Sequence, residues 1–170
     1  MPFVSRWTAF GLLTAVFVSG SQPIAADDAP VLRITGMTFV GSHGALRELV
    51  LRSRTAIFQP EQGLAELEGV SAEVSEGEGG RSFSMTCLRA ELNVETQDFL
   101  AEGEVQGSTG DGREYSAPWV RYEHERGLLY TDAPVQMVDE TGIFRGDGFR
   151  YHVKERRFQL LGNVSVVQSP

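Results

Sequence analysis

The stretch Leu88-Arg89-Ala90-Glu91-Leu92-Asn93-Val94-Glu95-Thr96-Gln97-Asp98-Phe99-Leu100-Ala101-Glu102-Gly103-Glu104-Val105 decides the fold. Leu88, Ala90, Leu92 and Val94 alternate with Arg89, Glu91, Asn93 and Glu95, and the same rhythm resumes at Phe99, Ala101, Gly103 and Val105. Successive strand side chains point to opposite faces, so this pattern predicts two strands with one dry face and one wet face. The step from Val94 to Phe99 has the length of a tight hairpin.

The unit recurs. Leu88-Arg89-Ala90, Val120-Arg121-Tyr122 and Phe149-Arg150-Tyr151 open three copies, and Phe99, Leu129 and Phe158 begin their return strands. His124 to Leu129 and Val153 to Phe158 repeat the five-residue step. A small-x-Val pair closes each copy: Gly103 and Val105, Ala133 and Val135, Gly162 and Val164, spaced 30 and 29 residues apart. A fixed period of this size indicates one supersecondary unit laid against the next. Leu64 to Val74 carries a weaker copy, with Gly69 in the place of Gly103 and a bulge expected nearby.

Outside the repeat, Val31 to Val40 reads as a strand. Leu46 to Phe58 has helical spacing at Leu46, Leu49 and Val50, but Leu49, Leu51, Ser53, Thr55 and Ile57 alternate with Arg52, Arg54 and Ala56, which favours a strand. Gln59 to Gly63 reads as a turn, as do the Gly-rich stretches Glu76 to Gly80, Ser108 to Gly112 and Asp139 to Gly142. The fold class expected is all-β and antiparallel, with domain boundaries at 31–168.

The N-terminus differs from the rest. Arg6 precedes an apolar run of 14 residues, Trp7 to Gly20, and small residues follow at Ala25-Ala26. This is the layout of a secretory signal cleaved after Ala26. The segment 1–26 is also nearly long enough for an uncleaved membrane anchor, although Pro23 interrupts it. Residues 27–30 form an acidic linker.

The 170-residue chain has a net charge of −8, and without Arg6 the remaining 14 basic and 23 acidic residues give −9. Nucleic-acid binding needs a positive footprint, so that class is set aside. A single cysteine, Cys87, rules out an internal disulfide and reads as a small buried hydrophobe. His43, His124 and His152 do not stand at metal-ligand spacing with one another or with Cys87, so no metal or other cofactor is expected. Neither a nucleophile elbow nor a phosphate loop occurs, and the carboxylates fall mostly on the wet parity. The chain is therefore not read as an enzyme. A membrane barrel is disfavoured by the few strands and the heavy charge on their polar faces.

The dry face holds large residues interspersed with Gly103, Ala133 and Gly162. Periodicity alone leaves open a sealed sandwich core and an open groove. A resemblance adds to this reading. Gly36-Met37-Thr38-Phe39-Val40-Gly41, Leu49 to Ala56, Leu67 to Val74, Phe144 to Tyr151 and Arg157 to Val164 together resemble the LptC family of lipopolysaccharide-export proteins, within the wider OstA-like group. The likeness covers residues 31–168 and rests on hydrophobic spacing and glycine positions.

That resemblance implies an open, V-shaped β-jellyroll at the periplasmic face of the inner membrane. Such a protein accepts lipopolysaccharide from an inner-membrane ABC transporter complex and passes it to a periplasmic bridge protein docked edge to edge. The residues expected to line a groove for lipid A acyl chains are Phe83, Met85, Leu92, Phe99, Val120, Tyr122, Leu129, Val135, Phe149, Tyr151, Phe158 and Leu160. The partner edge is expected on a last strand from Phe158 to Val167, with Phe158, Gly162, Val164 and Val166, and at the other end on Val31 to Val40. The soluble bridge protein of the same pathway and a structural β-domain with a sealed core are the alternatives.

Overall fold

A computed structural model describes residues 30–43, 46–75 and 83–168; the expectations for residues 1–26 and for the turn at 76–80 lie outside them. The strands are β1 (Leu32–His43), β2 (Leu46–Gln59), β3 (Leu64–Val74), β4 (Phe83–Asn93), β5 (Phe99–Thr109) and β6 (Glu114–Glu123), then the shorter β7 (Leu128–Thr131), β8 (Val135–Asp139), β9 (Gly142–Gly146), β10 (Gly148–His152), β11 (Arg157–Leu161) and β12 (Ser165–Gln168). All the pairings are antiparallel. Leu46 to Phe58 is strand, as its alternation predicts, and Pro60–Gln62 closes the following turn as a short 3-10 helix.

One line of irregularity crosses the whole sheet. The ladder skips Gly36 opposite Arg54, Gly69 opposite Arg54 and then Leu88, and Gly103-Glu104 opposite Pro118. It continues through Asp132 to Pro134 and Asp147 to Gly162-Asn163. The small residues of the 30-residue period are therefore the points where the strands bend. Gly103 (φ 77°) and Gly162 (φ 77°) adopt left-handed backbone that a residue with a Cβ enters only at a cost.

This crease divides the sheet into two leaves. The first leaf contains β7, β10 and β11, and the second contains β8, β9 and β12; β1 to β6 run through both. Two of the strands expected from the sequence, Leu129 to Val135 and Phe158 to Val167, are each broken in two by the crease. In particular, the single last strand expected from Phe158 to Val167 is β11 and β12, which pair with β10 and β9 respectively.

The crease also shifts parity, because it inserts an extra residue in several strands. In β4 the inward residues are Phe83, Met85 and Cys87 on one side of the bend and Ala90 and Leu92 on the other. Leu88, expected on the dry face, is thereby turned out and is 57% exposed. In β2 the shift falls at Arg54, so Ala56 is buried and Ile57 turns away, contrary to the unbroken alternation expected there.

Candidate functional site

The inner faces of the two leaves meet. Phe83 of the second leaf stacks on Tyr151 of the first, with ring centroids 5.3 Å apart, and Tyr115 meets Phe149 edge-on at 5.4 Å. Phe83 also stacks on Tyr115 at 4.8 Å, and Phe149 on Phe158 at 5.1 Å. Stacked and edge-to-face rings are favourable beyond their buried area. These five rings clasp the leaves together at mid-sheet.

Of the residues expected to line a groove, Phe83, Met85, Leu92, Phe99, Val120, Tyr122, Leu129, Val135, Phe149 and Tyr151 are buried on this inner face. Phe158 and Leu160 are half-buried on β11. The interior is thus packed through its middle and thins toward its terminal strands. At one margin Ile34, Met37 and Phe39 of β1 and Phe58 of β2 are half-buried; at the other, Phe144, Phe158 and Leu160. The V is open along these two edges.

The edges themselves are unpaired among the described residues. β1 pairs only with β2, β11 with β10 and β12 with β9. Val164, Val166 and Val167 beside the last edge are 48–57% exposed, as are Val31, Leu32 and Val40 beside the first, at 49–57%. Exposed apolar strand edges are templates for pairing with another chain.

Tyr115 escaped the sequence reading, and Val105, Val70, Leu49 and Leu51 were not among the residues expected to line a groove; all five belong to the core. Tyr115 is separated from Val120 by the crease at Pro118, and extrapolating the Val120–Tyr122 parity backward assigns it to the wet side. The available signal was the separate alternation of Tyr115 and Ala117 with Glu114 and Ser116.

Tyr115, Ser53 and Cys87 are among the groups that give this apolar interior a polar content. The Tyr115 ring lies over Gly107, its cross-strand partner, and its hydroxyl has no hydrogen-bond partner among the described residues, although the residue is only 4% exposed. Burial, and secondarily the nearby Cys87, pushes its pKa well above the ordinary phenol value. The Ser53 hydroxyl, 7% exposed, is likewise without a partner there. The Cys87 thiol donates to the Arg89 carbonyl at 3.1 Å, and burial pushes its pKa up to about 11. An unpaired buried hydroxyl costs about 1–3 kcal/mol.

One antiparallel sheet folded along a crease, apolar inside and, among the described residues, unpaired at both edges, defines an open β-jellyroll. A profile described as lipopolysaccharide-assembly, LptC-related matches residues 44–168, and the chain belongs to that family. Among solved structures it is similar to the crystal structure of LptH from Pseudomonas aeruginosa, described as the LptA-homologous periplasmic component of the conserved lipopolysaccharide transport device. The TM-score is 0.56 at 11% identity, over 72% of this chain and 95% of LptH. At that identity the likeness establishes the shared fold. No curated protein matches the chain.

Proposed function

We propose that this protein is a non-enzymatic carrier of lipopolysaccharide in the export pathway, working at the periplasmic face of the inner membrane. The observation that carries the reading is the continuous apolar face between the leaves, which reaches half-buried side chains at both terminal edges. Acyl chains need a dry surface, and a conduit needs two ends. Lipid enters and leaves by parting the leaves, so Phe83, Met85, Leu92, Phe99, Val120, Tyr122, Leu129, Val135, Phe149, Tyr151, Phe158 and Leu160 exchange contacts with one another for contacts with lipid A. Sugars and phosphates stay in solvent outside the groove, because a chain with a net charge of −8 offers phosphate no overall attraction.

The unpaired edges support a handover at each end. The β1 margin takes lipopolysaccharide from the inner-membrane ABC transporter complex. The other margin, with Phe158, Gly162, Val164 and Val166, extends into a periplasmic bridge protein by strand addition.

Photo-crosslinking residues placed in cells at Met37, Phe99 and Phe158 test the carrier role. Capture of lipopolysaccharide at these positions and not at outward Glu91 is the expected result. Equal or absent capture at all four sinks the reading. The mass of the mature chain separates an anchor from a cleaved signal.

A further inference from the structure

The interior is not uniformly apolar. Tyr115 carries a hydroxyl into it with no partner among the described residues, at 4% exposure, and Ser53 does the same at 7%. Both residues face inward from the second leaf, beside the crease. Ser53, Val70 and Cys87 are paired in register across β2, β3 and β4, and the Tyr115 ring reaches over Gly107 of β5. The two hydroxyls share one inner face but stand apart on it: Gly107 is in register with Met85, Ala72 and Leu51, so Ser53 lies three strand spacings of about 4.8 Å across the sheet and two residues along it.

A core built only for stability would carry phenylalanine at position 115, because the ring packs fully against Phe83 and Phe149 while the hydroxyl loses its hydration. The geometry of β5 instead accommodates the whole tyrosine. Gly107 leaves room where any Cβ would strike the Tyr115 ring and oxygen, and its backbone is not left-handed, so space and not backbone freedom is its role.

We infer that Tyr115 is a polar subsite inside the acyl groove that hydrogen-bonds an oxygen carried partway along the chain, a hydroxyl or an ester carbonyl. This rests on the carrier reading and names its ligand class more narrowly: oxygen-bearing acyl chains in preference to plain hydrocarbon ones. In the closed protein the hydroxyl has no partner among the described residues. When the leaves part around such a chain it donates to the ligand oxygen, so the group that weakens the empty form strengthens the loaded one.

The test measures binding of 3-hydroxytetradecanoate and of tetradecanoate to the full chain, for the wild type, Tyr115→Phe and Ser53→Ala. The wild type is expected to favour the hydroxylated chain by about 5- to 10-fold, the worth of one neutral hydrogen bond. Tyr115→Phe should bring that ratio close to one by weakening binding of the hydroxylated chain, and should raise the melting temperature of the empty protein. Ser53→Ala, remote from the Tyr115 hydroxyl, should leave the ratio unchanged. Equal wild-type affinity for the two chains, an unchanged ratio in Tyr115→Phe, or a Tyr115→Phe protein that melts lower when empty would each overturn the subsite and leave the carrier reading standing. Failure of both chains to bind, together with absent lipopolysaccharide crosslinking, would overturn both.

Discussion

Gly107 stands opposite Tyr115 in the β5–β6 ladder, and the tyrosine ring occupies the volume that a side chain at 107 would take. Around this pair the two leaves close, since the same ring stacks on Phe83 within its own leaf and meets Phe149 of the other. Replacing Gly107 with alanine therefore forces the ring off its seat. A loss of about 1–3 kcal/mol is expected in denaturant unfolding, the usual cost of overpacking. Adding Tyr115→Ala should make the Gly107→Ala change nearly silent, because the obstructed ring is then gone. Additive losses in the double variant would refute the contact.

Phe149 is fully buried and touches Tyr115 of the second leaf and Phe158 of β11. Truncation to alanine should cost about 3–5 kcal/mol, the range for a buried aromatic. Leu88→Ala, by contrast, removes a side chain that is 57% exposed on the outside of the crease and should cost less than about 1 kcal/mol. Comparable losses in the two variants would mean that the parity shift at the crease is misplaced.

At the last bend Asp147 accepts hydrogen bonds from the Asn163 backbone N–H at 3.1 Å and its side-chain amide at 2.8 Å, and Gly162 packs against the same carboxylate. Gly162→Ala places a Cβ in left-handed backbone, at about 1–2 kcal/mol, and pushes Asp147 from Asn163. The expected outcome is local. Hydrogen exchange should quicken in β12 and leave β2 to β5 protected, whereas uniform loss of protection would contradict a hinge confined to the final strand.

Arg113 ties two turns of the second leaf, with Asp111 at 3.0 Å and Asp139 at 3.8 Å. The Thr109 hydroxyl, and more weakly Arg113, hold Asp111 below its ordinary pKa; the Thr141 hydroxyl and backbone N–H do the same for Asp139. A lowered carboxylate pKa stabilises the fold above the unfolded value and loses that contribution as pH falls through the folded one. Asp111→Asn should thus be less stable than wild type at pH 7, by no more than about 1 kcal/mol for so solvent-accessible a pair. The two should converge as pH falls below the ordinary carboxylate range. A gap that widens on acidification would be the wrong sign.

The Cys87 thiol, with its pKa pushed up from 9.0 to about 11, should hold about 100-fold less thiolate at pH 8 than an unperturbed one. Ellman's reagent should therefore react slowly with the folded protein and quickly in denaturant. Fast reaction in the folded state would show that the crease admits water.

Local chemistry made the strands legible. The alternation around Leu92 and Phe99, the five-residue turns and the Gly103–Ala133–Gly162 period are short-range properties, because a side chain's face follows from its place in the strand. They determined an all-β antiparallel fold, its dry residues and the family. The tertiary structure decided what no single strand contains. Only pairing across the sheet aligns Gly36, Gly69, Gly103 and Gly162 into one crease, and only the crease reverses parity at Leu88 and brings Tyr115 inside. The last strand divided for the same reason: β11 and β12 belong to different leaves, and their separate partners β10 and β9 overrule an unbroken apolar alternation.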